Sequence, residues 1–461
     1  MTTPVIDASG YRALMRLSFP LIMTMALGAL MHAIDQIFLG RVGAAAAAAS
    51  FPAHISGYIV MCVFASGASY VSTFAAQHRA ADEHREVGAM LRPSLWLALI
   101  GGITAAALIP FAPELFRIFG TEELVHAHLV TLGTYYFLQV LPAVALHAAN
   151  GLLGGIDRPG LVLLSGAVGF VANVIFNWLL IFGYGPIPAM GVAGAGLGTV
   201  LASILACAVG FGALAMPGIR RQWHLFTARA RASHYRRYYR FALPHALREL
   251  VEISAWQVFA VVVAHFGTND LAACNAVLRW NLLFFIPLVG LGQGIGILAS
   301  HALGQGDANA AHAVMRRGLH VASAWAAFMA LLYLLAPGPL LRVFIDPATV
   351  GDAWPAMQAA AAPLFVIAAL WCVGDVVNVC LRAVLSGAGD TTWPAVALGL
   401  TAIFVYVLPC IGLLLAWQHG LSLPASPMTI AWLISLAFVT VLAVVFAWRY
   451  RSGQWRKMSV R

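Results

Sequence analysis

Apolar runs of about 20 to 30 residues recur along the whole chain, separated by short polar segments. A helix that crosses a bilayer needs roughly 20 apolar residues, because about 30 Å of hydrocarbon is spanned at 1.5 Å per residue. Within that hydrocarbon every backbone polar group must be satisfied locally, which a helix achieves and irregular chain does not. Only 9% of the residues are charged and 61% are hydrophobic, whereas soluble domains carry roughly a quarter charged residues. The pattern predicts an all-α polytopic membrane protein. Bounded by charged residues or Pro/Gly breaks, twelve spans are expected at 17–40, 47–76, 93–112, 127–150, 161–184, 192–215, 241–266, 271–301, 318–337, 357–386, 394–417 and 427–448. No cleavable signal peptide is visible, so the first span is expected to direct the chain to the membrane.

The basic residues orient these spans. Arg12 and Arg16 precede the first; Arg79, Arg85 and Arg92 lie between the second and third. The segment between spans six and seven carries Arg220, Arg221, Arg229, Arg231, Arg236, Arg237 and Arg240, and the tail carries Arg449, Arg451, Arg456, Lys457 and Arg461. The opposite loops hold Arg41, Arg117 and Arg342. Positive charge stays on the cytoplasmic side, which places both termini in the cytoplasm of a multi-pass inner (plasma) membrane protein. The formal charge of +9 is then mostly a topology signal. Its expected partner is the bilayer and its anionic headgroups, not nucleic acid.

The Arg-rich loop also divides a repeat. "LMRLSFPLIM" opens span one and "YYRFALPHAL" opens span seven; "PELFRIFGTEELV" before span four parallels "GPLLRVFIDPATV" before span ten; "LLGGIDRPG" parallels "VLSGAGDTTWP". The matches keep their order at offsets of about 225 to 232 residues. Six spans per half is an even number, so both halves share one orientation. They are expected to be related by a pseudo-two-fold axis along the membrane normal, with a central site at their interface. The expected layout is a cytoplasmic N-terminal segment at 1–16, an N-terminal six-helix lobe at 17–216, an Arg-rich linker at 217–240, a C-terminal six-helix lobe at 241–448 and a basic tail at 449–461.

Three acids fall well inside spans: Asp35 in "HAIDQIFLG", Glu252 in "LVEISAW" and Asp375 in "WCVGDVVNVC". An ionisable group at a helix centre costs at least roughly 2.5–3.5 kcal/mol and survives where it faces a wet cavity or a partner. Glu252 is about 11 residues from one end of its span and about 14 from the other. Asp375 is similarly central, and Asp35 is nearer the outer end. The bland alternative is an acid paired or protonated for structure alone. Arg279 in span eight is placed to reach Glu252 or Asp375, or else to snorkel outward, and Arg248 lies near the cytoplasmic end of span seven. Asn173 and Asn177 are one turn apart in span five, and Asn378 shares the face of Asp375 three residues on. Trp256, Phe284, Phe285 and Trp371 offer rings to a cationic aromatic ligand, unless they only pack or face lipid. Glycines 290, 292, 294 and 296 follow no strand, so close helix packing is expected of them, not dinucleotide binding. The six cysteines, Cys62, Cys207, Cys274, Cys372, Cys380 and Cys410, lie in spans without a CxxC pair, and buried free thiols are expected. No histidine spacing suits a zinc enzyme.

These residues resemble a family. The paired halves, "IDQIFLGRVG", "NVIFNWLLIFG", "GVAGAGLGTV", "FIPLVGLGQGIGILASHALGQGD" and "VVNVCLRAVLSGAGDTTWP" look like the multidrug and toxic compound extrusion (MATE) transporters, over about 11 to 448. The resemblance is to the bacterial type with acids in both lobes: Pro244 stands eight residues before Glu252, and Asp375 and Asp35 match that type's acids of spans ten and one. It implies coupling-ion binding at Glu252 and Asp375, a proton- or substrate-linked role for Asp35, and polar positions at Asn173 and Asn177. It implies export of cationic, often aromatic, compounds in exchange for inward H⁺ or Na⁺ by alternating access. In such transporters a tyrosine four residues before the span-ten acid can help ligate sodium; here that position is Trp371. Arg279 adds a positive charge to span eight. Proton coupling is therefore expected, with Na⁺ at Glu252 and Asp375 as the alternative. No cofactor, structural metal or catalytic residue is expected, and the protein should work as a monomer. Two other readings are weighed: a flippase for a lipid-linked or amphiphilic substrate, which Arg279 keeps open, and an intramembrane enzyme or receptor, which leaves the repeat unexplained.

Overall fold

A computed structural model describes residues 10–460. Residues 1–9 of the expected N-terminal segment, and Arg461 of the tail, lie outside the described residues. Long helices make up almost all of the described chain: α1 (Tyr11–Val42), α2 (Ala44–Ala80), α3 (His84–Leu108), α4 (Glu123–Gly155), α5 (Pro159–Phe182) and α6 (Val192–Ala215). After the loop come α7 (Ala232–Val263), α8 (Thr268–Gly304), α9 (Ala308–Leu335), α10 (Trp354–Ala388), α11 (Thr392–Gln418) and α12 (Pro427–Arg451). Eleven of the described helices are long and apolar enough to cross a membrane. The twelfth, α7, matches them in length but carries Arg236, Arg237, Arg240, Arg248, Glu249 and Glu252. Large apolar side chains stay exposed along the rods, among them Ile103, Leu335, Phe404 and Val444. Water would not tolerate so much uncovered apolar surface on a monomer; lipid does. The protein is a multi-pass membrane protein.

Local sequence explains where the rods begin, bend and end. Pro159, Pro217 and Pro427 occupy first-turn positions, where a missing N–H costs nothing. Ser426 caps α12, its Oγ accepting from the Thr429 N–H. Gly267, at φ +107°, follows the end of α7 in a conformation that side chains resist. Helix α7 starts earlier than the expected span, at Ala232, because arginines are good helix formers and the linker's second half simply extends the rod. The rest of the linker packs down: Trp223 and Leu225 are buried, and Arg92 donates to the Phe226 carbonyl at 3.3 Å. In α11 the ladder widens to a π turn over Ala402–Val407, just before Pro409. The proline ring cannot accept the carbonyl four residues back, and the extra residue relieves that clash.

The chain forms two compact units. Of the described residues, one comprises 16–249, 300–307 and 459–460; the other comprises 10–15, 250–299 and 308–458. The changeovers fall inside α1 and α7, near the end of α8 and again before α9, and in the C-terminal tail. In the first unit α4 is the central rod, packed by α2, α3 and α6, while α5 lies against α6. In the second, α10 is packed by α9 and α12, and α12 by α11. Helices four and ten, equivalent in the repeat, thus have equivalent jobs. Two of the α8 glycines pack closely against α10: a methyl on Gly292 would meet Val379 Cγ1 at 2.5 Å and one on Gly296 would meet the Ala383 carbonyl oxygen at 3.3 Å. Five cysteines are buried and Cys207 partly so; all six are free thiols.

Candidate functional site

Each unit holds its own polar cluster within apolar helices. In the second unit Glu252 projects from α7, about two turns beyond Pro244. Asp375 and Arg382 lie seven residues apart on α10, hence on one face two turns apart. Arg382 Nη1 donates to Glu252 Oε2 at 2.8 Å. Both side chains are mostly shielded, 16% and 22% exposed respectively. Asp375 is in electrostatic reach of Glu252 and Arg382 and stands beside the Trp371 indole, one turn earlier. Two carboxylates and one guanidinium leave a formal charge of minus one when all are ionised. One further positive charge, whether proton or organic cation, balances the cluster.

Asn378 shares the Asp375 face and does structural work. Its Nδ2 donates to the Val439 carbonyl at 3.0 Å, tying α10 to α12. The aromatic residues form a wall beside the acids. Trp256 stacks on Trp371 with ring centroids 5.2 Å apart, Trp371 meets Trp432 edge-on, and Tyr406 of the π turn stacks on Phe438 at 4.8 Å. Trp371 is 2% exposed and Phe284 fully buried. The Phe284 carbonyl accepts from Trp325 Nε1 at 3.0 Å. These two pack, while Trp256 and Phe285 keep partly exposed surface.

In the first unit the centre is Asp35 of α1, 4% exposed. Asn177 Nδ2 donates to its Oδ1 at 2.6 Å. One turn away Asn173 Nδ2 donates to Thr199 Oγ1 at 3.3 Å, and Thr199 donates to the Ala195 carbonyl. Three buried oxygens, Asp35 Oδ2, Asn173 Oδ1 and Asn177 Oδ1, have no protein hydrogen-bond partner. Buried acceptors are normally satisfied, so this lobe is suited to a proton or a small donor. His32, one turn before Asp35, packs edge-on to His54 at 4.0 Å between centroids, and His54 meets Tyr136 at 5.7 Å.

The structure brings Glu252 and Asp375 to one site, and Asp35 and Asn177 to another, with Asn173 beside the second. It does not bring Arg279 to the acids. Arg279 is exposed and its guanidinium lies over the Phe344 ring, 5.5 Å from the centroid. The arginine that meets Glu252 is Arg382, which is not among the residues expected at the site. A signal for it exists in the sequence, a basic residue inside span ten at heptad spacing from Asp375. Arg248 pairs with the adjacent Glu249, another acid outside the expected set. The His32–His54 pair escapes sequence reasoning because histidine alternates freely between packing and chemistry, although His32 shares the Asp35 face.

Similarity to known proteins extends over both units. The MatE family model matches twice, over residues 20–179 and 244–411. The two matches begin 224 residues apart and end 232 apart, the spacing of the internal repeat. The chain is 27% identical over 449 residues to a probable multidrug resistance protein NorM of Brucella suis, covering 93% of this chain and 94% of that one. It is 29% identical over 410 residues to a probable multidrug resistance protein NorM of Deinococcus radiodurans, covering 86% and 87%. Among solved structures, a multidrug resistance MATE family transporter of the MOP superfamily, in an outward-facing conformation, superposes with a TM-score of 0.84 at 20% identity. It covers 99% of this chain and 100% of its own. A MOP superfamily transporter from Pyrococcus furiosus, described as having a binding pocket of reversed polarity, gives 0.84 at 19%. These last two show the fold.

Proposed function

The chain belongs to the MatE family, and from that membership we propose that it is a multidrug efflux transporter, a secondary antiporter that exports organic cations in exchange for inward H⁺. The observation that carries the reading is the Glu252–Asp375–Arg382 cluster, two acids and one base held within apolar helices. Such a cluster costs too much in hydrocarbon to persist for packing alone. A cationic drug and a proton can each neutralise its remaining negative charge, and neither binds at full strength in the presence of the other. That competition is what antiport needs. Trp256, partly exposed and stacked on the Trp371 that stands beside Asp375, would contact the rings of an aromatic cation, and Phe285 of α8 keeps partly exposed surface for the same use. Asp35 and Asn177 would give the N-terminal half its own proton- or substrate-linked site. Names of the relatives, probable multidrug resistance proteins, support the same cargo. Alternating access by a monomer, with both termini cytoplasmic, completes the proposal.

A flippase of phosphate-bearing lipids would want arginine presented to an anion. Arg279 stands over Phe344 and Arg382 faces Glu252, so neither favours that cargo.

The test is reconstitution into liposomes with a cationic dye such as ethidium, with a pH gradient and a Na⁺ gradient imposed separately. Exchange should follow the pH gradient and be lost in Glu252→Gln and in Asp375→Asn. Undiminished transport in both folded variants would remove the mechanism.

A further inference from the structure

The Glu252–Arg382 contact carries an inference about ion choice, which rests on the reading of Glu252 and Asp375 as the coupling-ion residues. We propose that Arg382 is a built-in cation that closes the C-terminal acid pair to Na⁺, and so sets which ion this transporter uses. Sodium is a hard ion that binds through several oxygen lone pairs. Arg382 Nη1 already occupies Glu252 Oε2 at 2.8 Å. A guanidinium offers five donors and no acceptor, and it stays charged at any working pH. It therefore takes up a lone pair of Glu252, supplies no acceptor, and holds a full positive charge against the carboxylate that Na⁺ would have to share.

The neighbouring side chains do not remove the charge penalty. The Trp371 indole beside Asp375 is a donor only. Asn378 Nδ2 donates to the Val439 carbonyl, which fixes the side chain to α12; its Oδ1 is buried without a hydrogen-bond partner and offers Na⁺ a neutral oxygen, which does nothing to offset the guanidinium charge. Shielding sharpens the exclusion: the ion pair is 16% and 22% exposed, and repulsion between like charges grows as water is removed. A proton escapes this argument because it needs one lone pair of Asp375, not a shell of oxygens. Geometry also explains why Arg382 reaches this point. It lies two turns beyond Asp375 on the same helix, and long helical side chains lean toward the N-terminus. Arg382 thus lies back along the face that carries Asp375.

Arg382 is a positioning and specificity residue under this proposal, so its test needs a readout that a clamp between α7 and α10 would not move. Purified full-length protein is unfolded thermally in NaCl, KCl and N-methylglucamine chloride at one ionic strength. The same proteins are reconstituted for dye exchange under separate pH and Na⁺ gradients. Wild type should melt identically in Na⁺ and K⁺ and ignore the Na⁺ gradient. Arg382→Gln and Arg382→Met should gain a Na⁺-specific rise in melting temperature, because a ligand that binds only the folded state stabilises it. They should also gain Na⁺-driven exchange, which wild type lacks. Arg382→Lys keeps the charge and should stay insensitive. A folded neutral variant with no Na⁺-specific response overturns the proposal. So does wild type stabilised by Na⁺ over K⁺, whether or not the variants fold. Wild type that ignores the pH gradient sinks the coupling reading instead, independently of the Na⁺ arms.

Discussion

Asp35 shows what a single contact does in an apolar lobe. Its carboxyl is 4% exposed and takes one hydrogen bond, from Asn177 Nδ2 at 2.6 Å. Removing one member of a buried polar pair leaves the other desolvated without compensation, at about 1–3 kcal/mol. Asn177→Ala should therefore lower stability by that amount, and Asp35→Ala combined with it should cost less than the two separate losses added. A double-mutant cycle on thermal or denaturant unfolding reads this as a coupling of about 0.5–3 kcal/mol. Additive losses would show that the contact contributes nothing. At this scale the sequence exposed every acid that matters in the two clusters, because charge inside an apolar run is conspicuous. It exposed the partners less well. Arg279 and Arg382 are both arginines inside long helices, and nothing in the local sequence says which one turns toward Glu252.

Helix α6 shows how an element positions a site it does not carry. Its glycine run packs against neighbours at several points. A methyl on Gly194 would fall 2.4 Å from the Leu180 carbonyl oxygen of α5, one on Gly196 would fall 2.4 Å from Tyr135 Cδ2 of α4, and one on Gly198 would fall 2.1 Å from Asn177 Oδ1. Small residues four apart let two backbones approach closely, as in membrane helix pairs generally. That approach seats Asn177 under Asp35. Gly198→Ala should displace the Asn177 amide and cost about 1–3 kcal/mol of overpacking, seen as a lower melting temperature and loss of dye exchange. Gly212, on the same helix, has open space where a methyl would sit. Gly212→Ala should leave transport intact and stabilise slightly, by about 0.5–1 kcal/mol, since alanine suits a helix interior better. Equal effects at the two positions would refute the argument. Span positions were readable from hydropathy to within a few residues, but α7 was not: its arginines masked how far the rod extends beyond the apolar run.

At the scale of the molecule, the asymmetry of the basic residues makes a prediction independent of any site. With Arg220, Arg221, Arg229 and Arg231 in one loop and Arg451, Arg456 and Lys457 in the tail, both should remain cytoplasmic. A fluorescent protein fused at the C-terminus should glow and alkaline phosphatase fused there should be inactive, and the α6–α7 loop should report the same side. Periplasmic activity at either place would invert the topology. The sequence by itself determined the class of fold, the number of rods, the repeat and the presence of buried acids. Those features are one-dimensional: hydropathy sets which segments are helices in lipid, and the order of segments is the order of the chain. Only the tertiary structure decided which side chains meet. Contact depends on how each rod is rotated about its axis and how closely glycines let it approach its neighbours. Those are properties of packed surfaces, so Glu252 finds Arg382 across 130 positions of sequence, while Arg279 lies against Phe344 instead.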